Sequence, residues 1–214
     1  MERRSFFRSA LICFGLAGLN SFGPGLAMAE PSLRSIFPGR RIGGGSRGEC
    51  AARLVIHLVP RSGVFASGSN DLLAVLQGPS LDPRPLEISF SGYDAQSGVK
   101  GMPLAEQVIP AGPASLVLFR SATSQRPLFW ESTYQCDDDE AVDELSFITS
   151  EAPPATSLLV TEAQSEDSAL QLTLAAWKGS CGGQLATHNV LQSADLKELD
   201  VIQWPEQLPV VCAF

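Results

Sequence analysis

The stretch that decides the fold reads Pro85-Leu86-Glu87-Ile88-Ser89-Phe90-Ser91-Gly92. Its apolar residues, Leu86, Ile88 and Phe90, alternate with polar ones. Successive side chains of a β-strand point to opposite faces, so this pattern predicts a strand with one face on a core and the other toward solvent. Such strands are typical of an antiparallel sheet that is packed on one side.

The same period of two recurs along the chain. It is found at residues 54–58, 129–136 and 169–177. In the second of these, Trp130, Tyr134 and Cys136 share one face, so we expect Cys136 to point inward beside aromatic rings. Further strands are predicted at residues 72–76, 115–119, 145–148 and 157–160. Residues 116–119 are apolar on both faces, which predicts a central strand.

About eight short strands, separated by Gly, Pro, Ser and Asp, predict a mainly β fold, an immunoglobulin-like or related antiparallel β-sandwich. One short C-terminal helix is predicted from Ser193, as its N-cap, through Leu196, Leu199 and Ile202. Residues 50–214 are long enough to bury one core, so we expect a single β-rich domain there. The pair Pro153-Pro154 marks a candidate sub-boundary near residues 153–156.

Residues 1–29 have the pattern of a signal peptide. Basic residues open the segment, at Arg3, Arg4 and Arg8. An apolar stretch follows, and Ala27-Met28-Ala29 fits an A-x-A cleavage site. Glycines break the stretch, so it is too short for a membrane-spanning helix of about 20 residues. The paired arginines resemble a twin-arginine signal, with the general secretory route as the alternative. We expect the mature chain in a periplasm, in a thylakoid lumen or outside the cell.

The chain is acidic, with a net charge of −8. Removing residues 1–29 takes away three arginines and one glutamate and leaves −10. Such a surface repels phosphate backbones and anionic lipids, so nucleic acid is a poor partner. No later segment is apolar enough to insert into a membrane. The expected partner is an envelope protein or another extracytoplasmic component.

Four cysteines stay in the mature chain, namely Cys50, Cys136, Cys181 and Cys212. An even number in an oxidising compartment favours two disulfides, and three pairings are possible. We favour Cys50–Cys136 and Cys181–Cys212, because these bonds would staple the two halves of the chain separately.

Residues 30–49 are rich in Gly and Arg and too polar to bury a face, which predicts a flexible leader. An alternative is an anion contact, in which Arg40, Arg41 and Arg47 and the backbone N–H groups of Gly43-Gly44-Gly45 surround a negative group. The segment does not lie between a strand and a helix, so it lacks the setting of a phosphate loop.

Two segments carry a resemblance to a known family. One is Pro38-Gly39-Arg40-Arg41-Ile42-Gly43-Gly44-Gly45-Ser46-Arg47-Gly48-Glu49-Cys50, and the other is the aromatic run that ends at Cys136. Together they resemble an exported cyanobacterial family called domain of unknown function number 928. The resemblance covers residues 38–136 and implies export and a Cys50–Cys136 bond. It implies no activity.

One catalytic alternative rests on Gly179-Ser180-Cys181-Gly182-Gly183. This run resembles the nucleophile turn of chymotrypsin-like cysteine proteases, in which glycines let backbone amides converge on an oxyanion. His57 would be the base. The reaction needs a free thiolate with a histidine within hydrogen-bond reach. A disulfide turn flanked by glycines is the plainer interpretation.

The acidic run that begins at Asp137 gives a second alternative, weak calcium binding through Asp137 and Asp139. The acids are consecutive and lack EF-hand spacing, so a solvated turn is the simpler interpretation. Neither histidine lies in a cluster with metal-ligand spacing, and we expect no cofactor. The sequence therefore favours a non-enzymatic binding or scaffolding domain, with the cysteine hydrolase as the alternative.

Overall fold

The computed structural model describes residues 32–44, 53–135, 153–199 and 203–214. The strands in these residues are β1 Ile42–Gly43, β2 Val55–His57, β3 Val64–Phe65, β4 Leu72–Gln77, β5 Leu86–Asp94, β6 Val99–Ile109, β7 Ser115–Arg120, β8 Leu128–Tyr134, β9 Ala155–Leu159, β10 Gln184–Ala186 and β11 Gln207–Ala213. The helices are α1 Leu33–Ile36, α2 Ser165–Lys178 and α3 Thr187–Ser193, with 3-10 turns at Gly68–Asn70 and Lys197–Leu199. Among the described helices, none has the length and apolar character needed to cross a bilayer.

The strands form two sheets that pack face to face. One has the order β1-β2-β4-β7-β11-β10, and the other has the order β3-β9-β8-β5-β6. Rings from the first sheet contact Trp130 of the second, with centroid distances of 3.6 Å for His57 and 5.6 Å for Phe119. The predicted mainly β sandwich is therefore confirmed.

The sheets are mixed, whereas the sequence predicted antiparallel strands throughout. The β7–β11 and β3–β9 pairs are parallel. Parallel neighbours need a crossover connection of a dozen or more residues. In the first case α2 and α3 lie in that connection. Alternation of apolar and polar residues within one strand does not indicate the direction of the neighbouring strand. The sequence pattern therefore could not show which pairs are parallel.

Most predicted strands coincide with observed ones. In β5, Leu86, Ile88 and Phe90 are buried while Glu87 and Ser89 are partly exposed. The segment from 115 to 119 lies in β7, fully buried between β4 and β11, and is central as predicted. The segments at 54–58, 72–76, 129–136 and 157–160 overlap β2, β4, β8 and β9. The strand predicted at 145–148 lies outside the described residues.

The strand predicted at residues 169–177 is wrong, because this segment lies in helix α2. The buried residues Leu170, Leu174 and Trp177 recur at the helical spacing of four and three, and Leu172 between them is exposed. A capping box at Gln164 and Asp167 starts the helix. A short run of alternating leucines fits both periods, and the cap decides between them.

The C-terminal helix was predicted in nearly the right place with the wrong start. Ser193 ends α3 and is not an N-cap. The turn at Lys197–Leu199 then follows Asp195, whose φ of 53° breaks the helix. Ile202 lies outside the described residues.

The candidate sub-boundary near residues 153–156 does not divide the sandwich. Strand β9 begins there and pairs with β8 and β3 inside the second sheet. The described residues between 32 and 214 all belong to one compact unit.

Residues 32–44 belong to the body of the domain, in contrast to the flexible leader that was predicted. Phe37 is buried, with its ring edge-on to Tyr93 and Phe129. Gly43 pairs with Val55, and a Cβ atom at Gly43 would lie 2.2 Å from the amide nitrogen of Ala155. The glycine therefore permits a close approach of two backbones.

The C-terminal disulfide prediction is confirmed. Cys181, in the turn after α2, is bonded to Cys212 of β11, with Cα atoms 5.7 Å apart. Cys50 and Cys136 lie outside the described residues, so the other predicted pair stays a prediction.

A buried ion pair attaches the N-terminal segment to α2. Arg34 donates to both carboxylate oxygens of Asp167 and to the carbonyl oxygen of Val64, at 2.9 Å for the latter. Asp167 is fully buried and also accepts from the backbone N–H of Gln164 at 2.8 Å. One carboxylate thus caps a helix and neutralises a buried guanidinium.

We predict that Asp167→Ala lowers the free energy of unfolding by about 3–5 kcal/mol, because it leaves Arg34 with no buried counterion. The neighbouring Glu166 is half-exposed in its contact with Arg34. Glu166→Ala is therefore the matched control and should cost less than about 1 kcal/mol. Urea unfolding of the mature protein measures both values, and equal losses would contradict this account.

Candidate functional site

Strands β5 and β6 form a hairpin with a well-defined tip. The Oδ1 atom of Asp94 accepts hydrogen bonds from the backbone N–H groups of Gln96 and Ser97, at 2.9 and 3.4 Å. These bonds lower the pKa of Asp94. Gly98 has a φ of 69° and donates its N–H to the carbonyl oxygen of Asp94. The tip is therefore fixed by a local turn that favours glycine at this position.

The second strand of this hairpin exposes four large apolar side chains, which we call the β6 apolar edge. Their exposed fractions are 59% for Val99, 84% for Met102, 64% for Leu104 and 50% for Val108. Isolated apolar side chains on a surface are ordinary, but four along one 11-residue strand make this strand a candidate interaction surface.

Strand β6 is also the long open edge of the described sheets. It has 11 residues and, among the described strands, pairs only with β5. The other three edges are short, with two residues in β1, two in β3 and three in β10. Short edge strands are one way in which proteins avoid unwanted pairing.

The two halves of β6 differ in what they offer. The first half contains Lys100, Pro103 and the register shifts opposite residues 90–93, and all of these hinder the addition of a strand. In the second half, residues 105–109 pair with residues 86–90 in unbroken register. The first half therefore presents apolar side chains, and the second half also presents backbone donors and acceptors.

The outer face beside this edge is acidic. Ser89 is paired with Glu106 on one side and with Glu131 on the other, and Glu87 is paired with Val108. Cross-strand partners share a face, so three carboxylates lie together. The amino group of Lys100 lies 3.1 Å from a carboxylate oxygen of Glu131 and offsets the charge of that carboxylate.

His57, the residue assigned as a base in the hydrolase alternative, lies in the core. It is fully buried, and its ring stacks on Trp130. Its Nδ1 atom lies 2.9 Å from Ser157 Oγ, and its Nε2 atom lies 2.8 Å from Ser132 Oγ. Burial lowers the pKa of His57 well below its usual value, so the imidazole is neutral.

The hydrogen bonds around His57 extend beyond the two serines to Trp130. The indole N–H of Trp130 donates to Ser132 Oγ at 3.0 Å. A serine hydroxyl has one proton and two lone pairs, so Ser132 can accept from Trp130 and also either donate to His57 Nε2 or accept from it. Ser157 takes the complementary role at Nδ1, so both ring nitrogens are satisfied in either neutral tautomer. The arrangement is a satisfied polar chain inside an apolar core.

The structure does not give Cys181 and His57 the roles that the hydrolase alternative needs. Cys181 is bonded to Cys212 and has no thiolate in this state. The two ring nitrogens of His57 are both used by serines in the core. The glycines around Cys181 shape a turn in which Gly182 has a φ of 76°. The disulfide turn is the interpretation that the structure supports.

The arginines of the predicted anion contact are used differently. Arg41 donates to the carbonyl oxygens of Val59, Ala194 and Asp195, at 3.3, 3.4 and 3.1 Å. Two of these carbonyls follow the end of α3, where a cation is favoured by the helix dipole. Arg41 therefore connects the loop after β2 to the loop after α3 through hydrogen bonds. Arg40 pairs through its backbone with Thr156, and Arg47 lies outside the described residues.

A groove of about 340 Å³ lies beside Arg41, between α2 and the same two loops. Apolar residues that line it include Leu58, Pro60, Ala169 and Leu170. At its rim Arg61 and Asp195 form an ion pair, and both side chains are mostly exposed. An exposed pair of this kind is weak, so it does not define a charged binding site.

The calcium alternative falls on Asp137 and Asp139, which lie outside the described residues. Within the described part of the chain, no group of three or more His, Cys, Asp or Glu side chains is arranged to hold a metal ion.

Comparison with known proteins adds no family. No protein-family model, no curated protein and no solved structure matches this chain. The resemblance over residues 38–136 stays a prediction.

Sequence reasoning missed the β5–β6 hairpin, although a signal for it exists. Asp94 and Gly98 frame a short polar turn, which is typical of a hairpin. The strand after it contains Gly101 and Pro103 and does not alternate, because the register shifts. Periodicity therefore could not find β6.

We predict that Ser132→Ala destabilises the protein more than Ser157→Ala. The first change leaves two buried groups without their partner, the Trp130 N–H and His57 Nε2, whereas the second leaves only His57 Nδ1. Each orphaned group costs about 1–3 kcal/mol. Unfolding in urea measures the difference, and a larger loss for Ser157→Ala would contradict the assigned hydrogen-bond chain.

Proposed function

We propose that this protein is an exported, non-enzymatic binding domain, and that the β6 apolar edge holds an extended segment of an envelope protein. The observation that carries the proposal is the exposure of Val99, Met102, Leu104 and Val108 on the long open edge strand. An edge strand can add one more strand through its backbone, while side-chain contacts select the partner.

Burial of the β6 apolar edge would supply binding energy. Covering a fully exposed aliphatic side chain is worth about 1.5–3 kcal/mol. Met102 and Leu104 are the most exposed of the four, so they should contribute most. The neighbouring carboxylates, Glu87 and Glu106, disfavour a partner with an acidic contact surface.

Support for export comes from the sequence. The segment from Arg3 to Ala29 has the order of a signal peptide, and the resemblance over residues 38–136 implies the same compartment. The Cys181–Cys212 disulfide fits an oxidising environment. We place the mature protein in a periplasm, in a thylakoid lumen or outside the cell.

The test compares two double variants of the tagged protein, produced with its own signal and recovered from native envelope. Met102→Ser/Leu104→Ser changes the proposed surface. Leu81→Ser/Leu172→Ser is the matched control, because these leucines are exposed at 106% and 74% and lie in the loop before β5 and in α2. We expect the first variant to lose a bound protein by about tenfold or more, since the lost burial exceeds about 1.4 kcal/mol.

Two results would contradict the proposal. One is equal recovery of every bound protein with both variants. The other is a recovered chain that still carries residues 1–29 and fractionates with the cytoplasm, which mass spectrometry of its N-terminus would reveal.

A further inference from the structure

The backbone of β6 directs hydrogen-bonding groups to its open side at two residues. In an antiparallel sheet, successive residues of a strand turn their N–H and C=O groups to opposite neighbours. Gln135 donates its N–H to the carbonyl oxygen of Pro85 at 2.9 Å, so the odd-numbered residues of β5 bond β8, and Ile88 bonds β6. Ile88 is paired with Gln107. The two neighbours of Gln107 therefore direct their N–H and C=O groups to the open side, where no described strand pairs with them.

These two neighbours are Glu106 and Val108, and their side chains lie on the outer face of the sheet. Both are exposed. Gln107 between them points inward, since its side-chain amide donates to the carbonyl oxygen of Ala213 in β11 at 3.2 Å. Leu104, two residues before Glu106, is exposed as well. An added strand that bonds Glu106 and Val108 would therefore place its alternate side chains beside one carboxylate and one apolar side chain.

The charge of Glu106 is not neutralised by a described residue. The ion pair on this face joins Lys100 to Glu131. Within the described part of the chain, neither Glu106 nor Glu87 takes part in an ion pair, and the two lie on neighbouring strands of the same face. Opposite charges directly across a strand pair stabilise it, and like charges destabilise it. A basic residue is therefore favoured opposite Glu106.

We propose that the segment held by the β6 apolar edge alternates apolar and basic side chains, with Lys or Arg opposite Glu106 and an apolar residue opposite Val108; this rests on the function proposed above. Backbone hydrogen bonds to these two residues would set the register of the segment. A second copy of this chain is disfavoured as the occupant, because it would add its own Glu106 to an acidic face.

The test measures the binding of two synthetic peptides to the mature protein by nuclear magnetic resonance titration. One is acetyl-Thr-Val-Thr-Lys-Thr-Val-Thr-amide, and the other has Glu in place of Lys. We expect the lysine peptide to bind at least about fivefold more tightly, since an attractive cross-strand pair replaces a repulsive one. The backbone amide signals of Glu106 and Val108 should shift more than that of Gln107, whose N–H faces β5.

Charge reversal in the protein gives a matched control. Glu106→Lys should invert the preference, so that the glutamate peptide binds more tightly. Glu162→Lys makes the same change of net charge at an exposed residue between β9 and α2, and it should keep the original preference. Methylation of the amide nitrogen of the peptide's lysine should weaken binding by about tenfold, because that N–H faces β6, whereas methylation at the next threonine should change the affinity little.

Three results would overturn the proposal: no binding of the lysine peptide, equal affinity for both peptides, or an unchanged preference in Glu106→Lys. If the capture of an envelope protein depends on Met102 and Leu104 while the peptides fail, the edge binds through apolar contacts alone, and only the chemistry assigned to the segment is wrong. If the mature protein sediments as a dimer that Met102→Ser/Leu104→Ser dissociates, a second copy occupies the edge, and the proposed function is wrong as well.

Discussion

The imidazole of His57 joins the two sheets, and the geometry of the sandwich depends on it. It comes from β2 of the first sheet, bonds Ser132 of β8 and Ser157 of β9, and stacks on Trp130. Apolar contacts are not directional, whereas these hydrogen bonds form only when the two sheets have one particular relative position. The inner faces of β2, β8 and β9 therefore meet in a defined register.

A sandwich with a defined packing of its sheets places its surface side chains in defined positions. Arg34 and Arg41 connect the N-terminal segment to α2 and to the loop after α3 through hydrogen bonds. The disulfide attaches β11 to the turn after α2. The sandwich holds the β6 apolar edge in one position, with its side chains exposed to solvent. Exposed apolar surface is unfavourable in water, so this arrangement fits a surface that a partner covers.

The sequence predicts the parts of this fold that follow from one-dimensional periodicity. Strands β5 and β8 alternate because one face is buried, and β7 is continuous because both faces are. Helix α2 was missed because its leucines fit both periods until the cap at Gln164 and Asp167 is considered. The candidate sites depended on long-range contacts. Nothing in the sequence showed that Arg41 would reach the end of α3, or that β6 would lie at the open edge of the described sheets.

The most direct test of the central contact is the titration of His57, read from the chemical shifts of its ring nitrogens and ring protons in nuclear magnetic resonance spectra of the mature protein. Burial lowers the pKa of His57 well below its usual value. We therefore expect a neutral His57 whose ring shifts do not change between about pH 5 and pH 8, where an ordinary histidine titrates. A His57 that titrates with a midpoint of about 6.5 would contradict the account.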